Sequence, residues 1–195
     1  AELAMRHRVV VQVLSTFHDL PGTLLVDEDS GVEQQIVSGI AFSRDDAKIT
    51  LTNIPDQPGI AAGIFGPLSQ SNINVDMIVQ NASGDGASAD LTFTVSKNDL
   101  GSAISVIEGV RSSLKYAELM SDDNVTKISV VGVGMRTHAG VAATMFETLA
   151  EKGINIQVIS TSEIKVSVLI AKEYTELALR SLHTAYGLDN QSSSG

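Results

Sequence analysis

The chain has 195 residues, a formal net charge of −10, 4% aromatic residues, no tryptophan and no cysteine. The lack of a basic stripe excludes nucleic acid as a main partner and argues against an anionic membrane surface. The lack of cysteine excludes disulfides, thiolate metal sites and cysteine nucleophiles. With 43% hydrophobic residues, the chain can form one good-sized domain or two small ones with aliphatic cores.

The first third of the chain contains two strand patterns whose place in the fold is open. Arg8–Phe17 (RVVVQVLSTF) is rich in β-branched residues and predicts a strand, whereas residues 18–35 resemble a linker. Gln35–Phe42 predicts a further strand. It could form a hairpin with the next strand, Lys48–Ile54, through Ser43–Asp46.

A regular succession of elements then follows. After the strand Lys48–Ile54, a Pro/Gly turn leads into a helix predicted from Gly59 to about Ser71 by apolar residues at helical spacing. Asn74–Asn81 predicts a strand with Val75, Met77 and Val79 on one face. The other predicted elements are a strand at Ala89–Val95, a helix with its apolar stripe from Leu100 to Leu114, and a strand at Tyr116–Met120. The order βαββαβ is that of a ferredoxin-like module, which is an α+β fold.

The same unit occurs a second time. Residues 59–81 and 140–162 align without gaps, and KITLTNI (48–54) matches KISVVGV (127–133). Shared positions include Gly59/Gly140, Phe65/Phe146, Leu68/Leu149, Asn74/Asn155 and Ile78/Ile159. The second copy predicts strands at Lys127–Val133, Ile154–Thr161 and Ile164–Ala171 and helices at Gly140–Lys152 and Glu173–Tyr186.

The second copy ends without a fourth strand. The economical hypothesis is that Arg8–Phe17 completes its sheet, so that the first module is inserted into the second. The sequence therefore predicts a helix end and this completing strand at 1–17 and a linker at 18–35. The first module is predicted at 36–122, the second module at 123–188 and a disordered tail at 189–195.

The segment NIPDQPGIA (53–61) resembles the signature of the ACT family, whose βαββαβ modules place a D-x-P-G turn between the first strand and first helix and bind amino acids. KISVVGVGMRTHAGVAATMFETL (127–149) and INIQVISTSEIKVSVLI (154–170) are similar, more narrowly, to the regulatory domain, or beta subunit, of aspartate kinases (aspartokinases). The resemblance extends to about Leu188. Ala1–Val11 resembles the end of the helix that leads out of that family's kinase domain.

The resemblance implies a regulatory chain without a catalytic site of its own. No Gly-rich phosphate loop with a lysine is present, so ATP and Mg²⁺ are expected only at a separate kinase domain, and no cofactor or metal is expected on this chain. The resemblance also implies feedback inhibition by lysine, threonine or both, a homodimer formed through the ACT modules, a catalytic domain or subunit as partner, and a cytoplasmic location.

An amino-acid ligand presents a carboxylate and an ammonium group, and a helix N-terminus offers N–H donors for the carboxylate. Gly59 and Gly140 begin the two first helices, and Asp56 could pair with an ammonium group. The copies differ here, because the second has MRTHAG (135–140) with no acidic residue. The predicted effector contacts in the first copy are Asp56, Gly59, Ile60, Ala61, Asn74, Asp76 and Gln80. Those in the second copy are His138, Gly140, Val141, Asn155, Ile156, Gln157 and Thr161.

Simpler explanations of these residues stay open. The glycines could be ordinary turn residues, Asp56 a solvated cap, and Asn74 and Asn155 only strand-start residues. Two other functions are also considered: an ACT module of another biosynthetic enzyme, and a small ferredoxin-like enzyme of the acylphosphatase type. The second would require an arginine-bearing anion loop, for which Arg136 is the one loop candidate.

Overall fold

The computed structural model describes residues 11–13, 23–25, 37–84, 86–132 and 139–189. The first 36 residues form a unit of their own, in which β1 (Val11–Val13) pairs antiparallel with β2 (Thr23–Leu25). The predicted helix end before Val11 and the predicted tail after Asp189 lie outside the described residues.

The first module contains the elements that the sequence predicts. They are β4 (Asp46–Pro55), α1 (Ile60–Gln70), β5 (Val75–Ala82), β6 (Ser88–Ser96), a 3₁₀ turn (Lys97–Asp99), α2 (Leu100–Gly109), α3 (Arg111–Leu114) and β7 (Glu118–Asp122). The strands form an antiparallel sheet in the order β5-β6-β4-β7. This crossing order is that of the ferredoxin-like fold.

The second module repeats this arrangement. Its elements are β3 (Val37–Ser43), β8 (Val125–Gly132), α4 (Ala139–Glu151), β9 (Ile156–Thr161), β10 (Lys165–Ala171), a 3₁₀ turn (Lys172–Tyr174) and α5 (Thr175–Ala185). The sheet order is β3-β8-β10-β9. One of its strands therefore precedes the first module in sequence and three follow it.

Two sequence predictions about strand placement are wrong. The strand that completes the second sheet is β3, which pairs antiparallel with β8, and not Arg8–Phe17, of which Val11–Val13 pairs with Thr23–Leu25. The suggested hairpin between β3 and β4 does not form either. Only Arg44 and Asp45 separate these two strands, but the strands enter different sheets.

Each module has its own aliphatic core between one sheet face and its helices. In β6 the alternate residues Ala89, Leu91, Phe93 and Val95 are all buried in the first core, as the period of two predicts. In the second core, Ile128 and Val130 of β8 pack with residues of α4 and α5. The helices therefore cover one face of each sheet and leave the other face for contacts elsewhere.

Candidate functional site

The turn between β4 and α1 is built as the D-x-P-G pattern predicts. The Asp56 N–H donates to the carbonyl oxygen of Ala87 at 3.1 Å, which holds the turn against the start of β6. Gly59 is the N-cap of α1 with φ of 96°, a conformation that favours glycine. No atom lies within 4 Å of the position of a Cβ there, so the space beside the helix N-terminus is open.

A side-chain contact joins this turn to β5. Gln80 Nε2 donates to Asp56 Oδ1 at 3.2 Å, and both side chains are exposed. An acidic group, an amide and the first-turn N–H groups of α1 therefore lie at one end of the module, although the Ile60 N–H already donates to the Gln57 carbonyl oxygen at 3.4 Å. Ile60 is half-buried against the core, and Ala61 is exposed on the next position of the helix. These groups can pair with an ammonium and a carboxylate on one small molecule.

Asp76, a predicted member of the same set, lies on the opposite face of the sheet. The register places Gln80 opposite the core residue Leu91 but Asp76 opposite Thr94, because β5 contains a bulge between Asp76 and Val79.

The same bulge makes wrong the prediction that Val75, Met77 and Val79 lie on one face of β5. Val75 packs on the first core, whereas the other two pack on a separate cluster described below. Asn74 is exposed in the segment that precedes β5.

The second module presents its matched residues differently. Gly140 lies inside the first turn of α4 rather than before it, and His138 lies outside the described residues. Val141 is buried, and its carbonyl oxygen accepts a hydrogen bond from the Tyr186 hydroxyl at 2.6 Å. Burial raises the pKa of Tyr186 to about 12, so the hydroxyl stays protonated and ties the end of α5 to the start of α4.

The predicted residues of β9 are divided between several environments. Asn155 and Thr161 are exposed, and Ile156 packs half-buried on the second core. Gln157 lies at a register shift in β9, and its Oε1 accepts a hydrogen bond from Lys48 Nζ of the first module. Gln157 therefore faces the other module, as Asp76 does.

A reciprocal pair of lysine contacts links the two modules. Lys127 Nζ lies 3.0 Å from Asp46 Oδ1 and 3.0 Å from Asp76 Oδ2. In the aligned repeat, Lys48 matches Lys127 and Gln157 matches Asp76, so each module's first strand reaches the second strand of the other. These two lysines were not among the predicted site residues, although their identical positions in KITLTNI and KISVVGV were a signal.

The charges at the Lys127 contact stabilise one another. Burial alone would raise the pKa of Asp76, but hydrogen bonds from Lys127 and from the Met77 N–H outweigh it and lower that pKa. Burial likewise disfavours the charged lysine, yet the two carboxylates raise the pKa of Lys127 above its ordinary value. Both groups are therefore ionised at neutral pH.

A small apolar cluster, the interface cluster, lies beside these polar contacts. It consists of Met77 from β5, Val125 from β8, Val158 from β9 and Leu169 from β10, all buried, with Val79 packed against them. Met77 and Val158 occupy matched positions of the repeat. The contact between modules thus contains one matched apolar pair, whereas Val125 and Leu169 match the polar residues Asp46 and Thr94, and the charges are unequal as well.

Other features of the described residues lie away from this region. An open groove of about 570 Å³ between α4 and α5 is lined by Leu177 and Arg180, among others, and contains none of the predicted effector residues. The described part of the chain holds no cluster of three or more His, Asp or Glu side chains suited to a metal ion. It also holds no helix long and apolar enough to cross a membrane.

Comparison with known proteins agrees with this architecture. Residues 49–111 and residues 128–186 each match the ACT domain family. Aspartate kinase Ask_LysC of Stutzerimonas stutzeri is 53% identical over 189 residues, which are 96% of this chain and 46% of that protein. The chain thus spans about half the length of the curated relatives that it matches.

Solved structures give a closer match in extent. A crystal structure of aspartokinase alpha and beta subunits matches with a TM-score of 0.72 and 49% identity, over 77% of this chain and 99% of that one. The ligand-free regulatory subunit of aspartate kinase from Thermus thermophilus matches with a TM-score of 0.74 and 41% identity, again over 77% and 99%.

The chain is therefore a protein of two ACT domains, with the ferredoxin-like architecture of that class. More narrowly, it belongs to the aspartate kinase family, of which it is the ACT-domain regulatory part.

Proposed function

We propose that this chain senses an end product of amino-acid synthesis, lysine, threonine or both, and regulates a catalytic aspartate kinase domain or subunit. The observation that carries the proposal is the Asp56–Gln80 contact beside the open N-terminus of α1. A free α-amino acid fits this chemistry, because its ammonium can pair with the carboxylate while its carboxylate meets the helix N–H groups. Aspartate phosphorylation belongs, in this proposal, to the kinase part, in the cytoplasm.

The two modules support unequal roles in this sensing. The first has an acidic residue at the turn, whereas the matched turn of the second, MRTHAG (135–140), has none. We therefore place the ammonium-binding site in the first module. Asp56 would contribute more to the binding affinity of an effector with a second ammonium group, such as lysine, than to that of an effector with a hydroxyl.

The binding test is calorimetric titration of the chain with lysine and with threonine, separately and together. Saturable binding of at least one is expected, and Asp56→Ala should weaken it about tenfold or more, since a charge-assisted hydrogen bond is lost. Asp123→Ala, at another exposed acidic position, is the matched control and should leave the affinity unchanged. Absence of binding by both amino acids at millimolar concentration would refute the proposal for this chain.

A homodimer is proposed on separate grounds. β5 and β9 are edge strands of their sheets, and each exposes an isoleucine at the matched position, Ile78 at 51% and Ile159 at 44%. Open edges with exposed apolar residues favour pairing with another sheet edge.

Sedimentation equilibrium tests this assembly. Ile78→Lys should convert a dimer of about twice the 20.5 kDa chain mass to monomer, because a charge would be buried at the paired edge. Leu177→Lys, at an exposed helix position away from both edges, should leave the mass unchanged. A wild-type chain that is monomeric at micromolar concentration would contradict the dimer.

A further inference from the structure

β5 carries two kinds of contact on its two faces. Gln80, near its end, donates to Asp56 at the candidate effector site, while Asp76, near its start, accepts from Lys127 of the second module. Strict alternation would place residues 76 and 80 on one face. The bulge between Asp76 and Val79 removes this constraint, so that Asp76 and Gln80 lie on opposite faces of the sheet.

The bulge is held in an unfavourable backbone conformation. Met77 has φ of 47°, in the left-handed region that residues with a Cβ rarely occupy, although it is 3% exposed and packed in the interface cluster. Its N–H donates to Asp76 Oδ1 at 2.8 Å, so the carboxylate that pairs with Lys127 also stabilises the bulge. β9 also shifts register beside the matched residue Val158, at Gln157, but neither of these residues has a left-handed backbone, so the strain is particular to the first module.

A strained residue held by its surroundings is often the element that changes between two conformations. Here the surroundings include both modules, because Met77 packs on Val125 and Leu169 and its amide depends on Asp76. A ligand that displaces Gln80 or Asp56 would therefore act on the bulge from one end of β5. At the other end of β5, the change would alter the contact between Asp76 and Lys127.

We infer that the bulge at Met77 is the relay by which the effector site of the first module acts on the second, through Asp76 and Lys127. This inference rests on the proposed function for the identity of the ligand but not for the mechanical coupling. Lys48 and Gln157 form the matched contact without a carboxylate partner and without the strained residue, and they are not part of the relay.

The relay can be measured by methyl NMR of the full chain. Saturation with the amino acid that binds should shift the methyl signals of Val125 and Leu169, which lie in the second module and in the interface cluster. Asp76→Asn and Lys127→Met should retain binding and lose these shifts, whereas Lys48→Met should keep them. Bound variants in which Val125 and Leu169 respond as in the wild type would overturn the relay.

A version without a ligand separates this inference from the proposed function. Asp56→Ala in the amino-acid-free chain removes the Gln80 contact and should itself shift the Val125 and Leu169 methyl signals. The combination of Asp56→Ala with Asp76→Asn should show no shift beyond that of Asp76→Asn alone. If Asp56→Ala leaves both signals in place, the relay is wrong even if lysine or threonine binds; if neither amino acid binds but the signals move, only the proposed ligand is wrong.

Discussion

The two modules have one architecture, and they differ where the helix begins. In the first, Gly59 precedes α1 with a left-handed backbone and Asp56 is tied to β5. In the second, Gly140 is already helical, and Tyr186 rather than an acidic residue fixes the start of α4. A repeated fold therefore permits local divergence at its turns, because the cores that maintain the fold lie elsewhere.

The contact between the modules shows the same partial symmetry. Lys127 meets two carboxylates, one of them on the 10% exposed side chain of Asp46, whereas the matched Lys48 meets an amide. Loss of the Lys48–Gln157 contact would have little electrostatic consequence. Loss of the Lys127–Asp46 contact would leave a buried carboxylate without a counter-charge.

The largest effects are expected in the two cores, where the modules should be equivalent. Ile64 and Met145 occupy matched positions and are fully buried. Ile64→Ala and Met145→Ala should each lower the free energy of unfolding by about 2–4 kcal/mol in urea titrations, through lost burial and a residual cavity. Leu177→Ala, 37% exposed, is the control and should change it by less than about 1 kcal/mol. A separate transition for one module would show that the interface cluster does not couple their unfolding.

Substitutions of the matched lysines, unlike those of the matched core residues, should have unequal effects on the free energy of unfolding. Lys127→Met should lower the free energy of unfolding by about 2–3 kcal/mol, since Asp46 would be left buried and unpaired. Lys48→Met, which removes a hydrogen bond to a neutral amide, should lower it by about 1 kcal/mol or less. The two variants remove the same charge, so equal effects in denaturant titrations would show that the Asp46 pairing contributes little.

The matched glycines should respond in opposite directions to the same substitution. Gly59→Ala should destabilise the chain by about 1–2 kcal/mol, because alanine at φ of 96° is strained. Gly140→Ala should be neutral or stabilise it by up to about 1 kcal/mol, because the position is helical and nothing lies within 4 Å of the added methyl group. Thermal unfolding of both variants gives the sign, and a stabilising Gly59→Ala would contradict the left-handed cap.

The smallest effect concerns pH. Because the pKa of Asp76 is lowered in the folded state, Asp76 contributes fully to the free energy of unfolding above its unfolded-state pKa of about 4. This contribution disappears as the pH falls through the lower folded-state pKa. The raised pKa of Lys127 means that its contribution is present below about pH 10.4 and disappears as the pH rises through the higher folded value. The stability difference between wild type and Lys127→Met should therefore be constant from about pH 5 to 9. A change within that range would assign the titration to other groups.

The amino-acid sequence was enough to predict the elements, their duplication and the turn at Asp56–Gly59. These features are local: apolar periodicity reports burial one element at a time, and the D-x-P-G pattern fixes its own backbone. Two copies with the same periodicity must then have the same kind of core. The family followed from these local patterns and was confirmed by comparison.

The strand that completes the second sheet and the face of β5 on which Asp76 lies could not be predicted from local sequence, because both depend on long-range packing. β3 and Arg8–Phe17 are both good strand sequences, and the partner of a strand depends on residues far along the chain. The bulge at Met77 reverses the faces of β5 because packing against Val125 and Leu169 compensates a backbone conformation that the local sequence disfavours. Lys48 and Lys127 likewise found their partners across the two modules, at a sequence distance that no periodicity reports.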